Sequence, residues 1–515
     1  MTKTVLTKSA IALAAIVTAA APVLADITAR EGDQQPLGIR LRRQQDPSAF
    51  QFRRAYIELA REKRVARVGM MSKAATPEDI AAAASQIAVE GERSIPVFPV
   101  VFANTPKNPF DTKALQTRLF GSGPDTMTAF YKENSFNRLT VNGTVADWHK
   151  LPQNDTFYEG PDFMHQGKPR KCNGTCTGAK LGDLIQHVLD TADGTVDFRQ
   201  FDNDGPDNKP NSGDDDGFVD FVAFVHPEIG GECSGADNRN IWSHRWQYSA
   251  WKTQPYETAD VGQGGSKIRI DDYVIMPGLN CVDSSMIHIG VFAHEFGHAF
   301  GLPDLYDTNP DNGVSQGIGN WCLMASGSWG GDGQSPQRPS HMSAWAKSFL
   351  GWIQPKLVDK TTGDLTSFQL KATQDDKTAA LKVPISANQY YLIEYRPKKG
   401  FDSNLPFGGV LIWKVNDTVV NAGLASNTVN ADANNKGVDL TEADGTNDLD
   451  RASNAVPPGN RGDAGDPYPG AKDNRRLDGK SNPKALGGIS VCSIGNPGPS
   501  TIGLSVFVSK AVCQP

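Results

Sequence analysis

Four titratable side chains within eleven residues could act together in His294-Glu295-Phe296-Gly297-His298-Ala299-Phe300-Gly301-Leu302-Pro303-Asp304. A helix turns once every ~3.6 residues, so histidines four apart share one face and can offer two imidazole nitrogens to one metal. Glu295 leaves the helix beside them, placed to take a proton from water but not to be a third ligand in the same turn. Gly301 can adopt the positive φ that ends a helix and turns the chain back, which brings Asp304 within reach as an oxygen ligand. Three protein ligands and an open fourth position are the arrangement of a catalytic zinc site. The chemistry this spacing predicts is hydrolysis of a peptide bond, with Glu295 as general base and proton carrier to the leaving amine. A further donor is expected for the oxyanion, and Tyr306 and His341 (in Pro339-Ser340-His341-Met342) are the candidates.

These ligands must be held rigidly. Upstream, Met286-Ile287-His288-Ile289-Gly290-Val291-Phe292-Ala293 is apolar enough to predict a helix buried in the middle of a domain, with His288 a core or edge histidine and not a ligand. Downstream, Trp321-Cys322-Leu323-Met324-Ala325-Ser326-Gly327 is a small-residue turn whose Met324 resembles the Met-turn beneath the zinc of metzincins. A distal glutamate as third ligand is disfavoured, because no glutamate occurs between Glu295 and Glu394. Asp307 competes with Asp304, although its spacing suits a supporting hydrogen bond better.

At 515 residues the chain has room for two or three domains. Residues 1–25, MTKTVLTKSAIALAAIVTAAAPVLA, combine a lysine-bearing start, an apolar centre and a small-residue end, the pattern of a signal peptide cleaved after Ala25. No later stretch approaches the ~20 apolar residues that span a bilayer, so an exported protein without a membrane span is expected. The formal charge of −7 argues against a nucleic-acid binder. Seven cysteines suit an oxidising compartment, and proximity pairs Cys172 with Cys176, Cys233 with Cys281 and Cys492 with Cys513, leaving Cys322 buried by the Met-turn.

Residues 26–93 are arginine-rich, with helical runs near 55–66 and 77–89, and read as a prosegment or, alternatively, a permanent N-terminal subdomain. They hold no cysteine, which excludes a thiolate cap on the zinc. A catalytic domain of α+β class is expected over 94–355, beginning with a strand at Ile95–Phe102 and including Val274-Ile275-Met276 as an edge strand, either one that pairs with an extended substrate or an ordinary one. Residues 356–515 alternate in the manner of an all-β, sandwich-like domain, with strands at Tyr390–Arg396 and Gly409–Val415 and a structural ion pair between Glu394 and Arg396. Asp202, Asp204, Asp214, Asp216 and Asp220 sit at alternating positions around glycine turns and predict a calcium site. A weaker cluster of the same kind comprises Glu442, Asp444, Asp448, Asp450, Asp463 and Asp466.

Several motifs occur in order between Ile95 and Gly470: HEFGHAFGLPDLYD, NWCLMASGSWGG, PSHMSAWAKSFLGW, YYLIEYR, GVLIWKVND, and TEADGTNDLD with GDAGDPYPG. In these the chain resembles the immune-inhibitor-A-like secreted zinc metallopeptidases. The resemblance implies a zinc endopeptidase with His294, His298 and Asp304 as ligands and Glu295 as base. It also implies bound calcium, a propeptide, secretion and a β-rich C-terminal module. Asp304 stands where metzincins carry a third histidine. Protein or peptide substrates and a monomeric state are expected. The rival readings are a secreted adhesin whose metals only organise its surface, and a zinc amidase acting on cell-wall peptide; the intact Glu295 speaks against the first.

Overall fold

The structure, a computed structural model, describes residues 41, 89–203, 207–212, 215–233, 238–309 and 315–513. The expected signal peptide and nearly all of the expected prosegment therefore lie outside the described residues, as do Asp204 and Asp214.

The centre of the molecule is a sheet in the order Leu139–Val145, Gly91–Val101, Val222–Ile229, Asp272–Leu279 and His244–Gln247. The first four strands are mutually parallel and the last is antiparallel. Successive side chains of a strand point to opposite faces. Accordingly Val97, Ala223, Val225, Val274 and Met276 enter a core on one side, while Phe98, Val100, Phe224, Tyr273 and Ile275 enter a second core on the other. The helix Leu181–Ala192 packs on the second face. The helices Thr112–Phe120, Met127–Asn134 and Ile289–Ala299 cover the first. A parallel sheet covered on both faces has strands that are apolar throughout, which is why they read as continuous hydrophobic runs.

Two expectations need correction here. Val274 and Ile275 are not an edge: they pair with Ala223 and Phe224 on one side and with Arg245 and His244 on the other, so the edge on that side is His244–Gln247, while Met276 pairs with Val225 alone. The first strand begins at Gly91, ahead of the expected boundary between residues 93 and 94, and its Arg93 is buried 3.7 Å from Asp220.

Beyond Lys356 the chain forms a five-stranded sheet and a three-stranded sheet that share a third core, together with the short helix Asp417–Gly423. In the five-stranded sheet, Tyr391, Ile393 and Tyr395 face this third core, whereas Leu392, Leu411, Trp413 and Val415 join the core beneath the Ile289–Ala299 helix. One apolar core therefore runs without interruption from the central sheet into the C-terminal region. Arg396 does not pair with Glu394; its guanidinium is engaged by Asp402, and Glu394 instead accepts from Trp413 Nε1 at 2.8 Å and Thr373 Oγ1 at 2.8 Å. The three proximity-paired disulfides are all present, and Cys322 is the buried thiol.

Candidate active site

All eleven residues of the Ile289–Ala299 helix are buried. Its start is held by Arg118 Nη1, which donates to the carbonyls of Met286 and Ile287, both at 2.6 Å, and its middle by Tyr131 Oη donating to Ala293 O at 2.6 Å. Gly297 lets the helix settle on Met324, since a Cβ there would come within 2.5 Å of the sulfur. The helix ends as the glycine predicted: Gly301 has φ +100° and Leu302 N donates to Gly297 O at 3.1 Å. The chain then turns back so that Leu305 N donates to Met324 O at 2.7 Å.

This turn brings the three expected donors together. His294 Nε2 lies 3.1 Å and His298 Nε2 3.0 Å from the same Asp304 oxygen, Oδ1. Each histidine places its other nitrogen, Nδ1, on a backbone carbonyl: Leu323 O at 2.9 Å for His294 and Leu302 O at 2.8 Å for His298. A carbonyl can only accept, so each ring carries a proton on Nδ1, which leaves Nε2 as the atom each would offer a metal. Two imidazole nitrogens and a carboxylate oxygen, with outer nitrogens fixed by carbonyls, are a donor set suited to a borderline metal ion. Burial alone would raise the Asp304 carboxyl, yet the two imidazoles hold it well below the ordinary range. Burial opposes a charge on His294, but Asp304 and Glu295 lift it to about 9, while desolvation keeps His298 below its usual value.

Asp304 is itself held from a distance. Asn427, a fully buried residue with φ +55°, donates from Nδ2 to Asp304 Oδ2 and accepts from the Asp304 backbone N–H at 2.7 Å. Thr308 Oγ1 closes the arrangement by donating to Asn427 O at 2.9 Å. Asp307 plays a supporting part, accepting from Asn309 N, Ser315 N and Ser315 Oγ.

A cleft opens above the two helix residues His294 and Glu295. Its walls include Trp242, Val291, Trp329, Tyr306, Glu232 and Arg461. Tyr306 lies nearly parallel to the His294 ring, with 6.2 Å between centroids. Glu232 is 5% exposed, accepts from Ser243 Oγ at 2.5 Å and Ser243 N at 3.1 Å, and is raised by burial. Sequence reasoning missed Glu232, Arg461 and Asn427, which belong to no spacing pattern. His341, by contrast, does not line this cleft. It is fully buried, with Nε2 2.7 Å from Glu133 Oε1 and Nδ1 2.9 Å from Lys347 Nζ, and serves the core.

Of the first acidic cluster, Asp202 accepts from Gly217 N at 3.1 Å, Asp216 from Phe218 N at 2.9 Å and Asp220 from Asn203 N at 3.0 Å. Among the described residues, the groups with three donor atoms within 4.8 Å of one another are His294-His298-Asp304 and Glu442-Asp444-Asp466. In the second group burial and the neighbouring carboxylates lift Glu442 to about 9 and Asp466 to about 8.

The His294-His298-Asp304 donor set beside a cleft is what a metallopeptidase domain requires. Residues 107–354 match the family described as Immune inhibitor A peptidase M6, catalytic domain. Among curated relatives, the chain is 31% identical over 235 residues to the Pre-pro-metalloprotease PrtV of Vibrio cholerae, an alignment covering 44% of this chain and 23% of the relative. It is 30% identical over 309 residues to Immune inhibitor A of Bacillus thuringiensis subsp. alesti, covering 53% of this chain and 41% of the relative. The chain thus matches less than half the length of either protein. No helix among the described residues is long and apolar enough to cross a membrane.

Proposed function

We propose that the chain is a secreted zinc endopeptidase in which His294, His298 and Asp304 hold the metal and Glu295 is the general base. The observation that carries this reading is the convergence of both Nε2 atoms on one Asp304 oxygen beside a cleft that Glu295 lines. The chemistry a bound zinc supplies is polarisation of the scissile carbonyl and acidification of water to a pKa of about 7. Glu295, on the same helix turn, takes the proton of the attacking water and returns it to the leaving amine. Tyr306, stacked beside His294, donates to the developing oxyanion. Trp242, Val291 and Trp329 supply an apolar wall for a substrate side chain and exclude water from the reacting bond.

In this reading residues 1–25 direct export, 26–93 keep the enzyme latent, 94–355 carry catalysis, and 356–515 form a β-rich, sandwich-like module. Asp202, Asp204, Asp214, Asp216 and Asp220 bind a structural calcium. The substrates are proteins or peptides, and the enzyme works as a monomer.

Casein hydrolysis by protein from the culture medium, with and without a zinc chelator and beside Glu295→Gln, tests the core of this reading. The variant is expected to retain zinc and lose about 10²–10⁴-fold in turnover. A processed, zinc-loaded protein that leaves casein intact, or a variant of undiminished activity, refutes it.

A further inference from the structure

The chain leaving the strand Val222–Ile229 enters the cleft wall through Gly230-Gly231-Glu232-Cys233. Two features fold Glu232 back on this turn. A Cβ on Gly230 would come within 2.3 Å of the Glu232 carboxylate, so glycine is what leaves the side chain room to curl beside it. Cys233 is tied to Cys281 by a disulfide, and its N–H donates to Gly230 O at 3.1 Å. The following segment is stitched alongside: Gly231 N donates to Ile241 O at 2.9 Å, Asn240 Nδ2 to Ile229 O at 2.9 Å, and Trp242 N to Asn173 O at 3.1 Å. The carboxylate is thus fixed in a wall that also carries Trp242 and Ser243, in the cleft that His294 and Glu295 line.

Holding this wall together does not call for a charge. The bonds to the two Glu232 oxygens come from neutral donors, Ser243 Oγ and Ser243 N, and an uncharged acceptor would serve them as well. Among the described residues no lysine or arginine forms an ion pair with Glu232, although it is buried. Arg461, the basic residue on the cleft lining, places its Nε 3.1 Å from Gln316 Oε1. A buried carboxylate served by neutral donors alone is costly, and an incoming cation offsets that cost. Each of its oxygens has a second lone pair to offer. Trp242, Val291 and Trp329 line the same cleft, and an apolar wall of this kind is what the methylene stem of a lysine or arginine lies along while its charged end reaches for an acid. Tryptophan faces attract that charge further.

We propose that Glu232 determines specificity: it selects substrates that carry a lysine or arginine side chain next to the bond that is cut. The basic end pairs with the carboxylate, and the stem fills the apolar part of the cleft. That the selected peptide is then cleaved rests on the peptidase reading; that the cleft recognises a basic side chain does not.

The probes are alanine hexapeptides, acetylated and amidated at their ends, with one lysine, arginine, norleucine or glutamate at the third position. Norleucine keeps the stem of lysine without its charge, and the blocked ends remove any competing terminal amine. With processed, zinc-loaded protein, kcat/KM should be about 10–100-fold higher for the lysine and arginine peptides than for norleucine, with the cut at one fixed side of the basic residue. In Glu232→Gln this ratio should fall to near one. Because it compares two peptides on one protein, a general loss of activity does not imitate that fall. An equal ratio in both chains, or a parent without preference, overturns the proposal. If Glu232→Gln misfolds, Glu232→Asp decides: it withdraws the charge by one methylene, so the rate for the longer arginine should gain on that for lysine, and an unchanged order overturns the proposal. Calorimetric titration of the same peptides into the Glu295→Gln chain reads recognition without turnover, and the lysine preference in affinity should vanish when Glu232→Gln is added. Preference through Glu232 in a protein that cuts no peptide refutes the peptidase reading and leaves the recognition standing. Cleavage of all four peptides at one rate refutes the recognition and leaves the peptidase.

Discussion

The two donor clusters of this molecule are built in opposite ways. The histidine site takes all its donors from residues 294–304, one helix end and one turn, and each donor is aimed by a backbone carbonyl or an amide. The 442–466 cluster draws carboxylates from both ends of a loop and leaves two buried oxygens without a donor. Nitrogen donors with fixed tautomers favour a borderline metal and well-defined geometry, whereas all-oxygen donors favour a larger, harder ion that tolerates variation. The contrast separates chemistry from support: reactive groups are local in sequence, while what steadies them arrives from far away.

Perturbing each side should therefore produce different kinds of loss. Tyr306→Phe removes a local hydroxyl from the cleft; we expect kcat to fall about 10²-fold with little change in KM, read from peptide hydrolysis. A change confined to KM would make Tyr306 a wall and not a donor. Asn427→Ala removes remote support, leaving the Asp304 N–H and Oδ2 without their partner; metal affinity should drop about 10–100-fold in a competitive chelator titration. Stability should drop with it by about 1–3 kcal/mol in denaturant unfolding. Unchanged affinity would mean that the C-terminal region is only a neighbour of the site, and the comparison would break.

The smallest effect should come from a pair outside both clusters. Burial, with like charges around them, raises Glu159 to about 7 and Glu228 to about 8. A raised carboxyl stabilises the fold below its unfolded value near 4.5, and that contribution is lost as pH climbs through the folded values. Thermal stability should thus decline between pH 5 and 8, and Glu228→Gln should flatten this decline by about 2–4 °C. A variant with the same slope as its parent would show that the pair does not share the burden.

Much of the histidine site was legible because a helix converts spacing directly into geometry. The i, i+4 histidines, the Gly301 turn, Asp304 and the methionine platform all lie in short contiguous runs. Disulfide pairing followed from proximity for the same reason. The misplaced edge strand has a different cause: in a sheet covered on both faces, Val274–Met276 look identical whether they are central or terminal, since pairing leaves no mark on side-chain type. His341 misled because a histidine near a small-residue turn has the right chemistry, and only the fold reveals Lys347 and Glu133 closed around it. Asn427, Glu232 and Arg461 were invisible, being single polar residues whose partners are distant in the chain.

The bond between Asn427 and Asp304 joins residues 123 positions apart. A polypeptide made from its N-terminus presents the histidine pair long before the amide that orients the third donor exists. Until residue 427 has been synthesised and folded into place, Asp304 lacks its guide. Order of synthesis alone thus acts as a timer, postponing a finished donor cluster until most of the molecule is assembled.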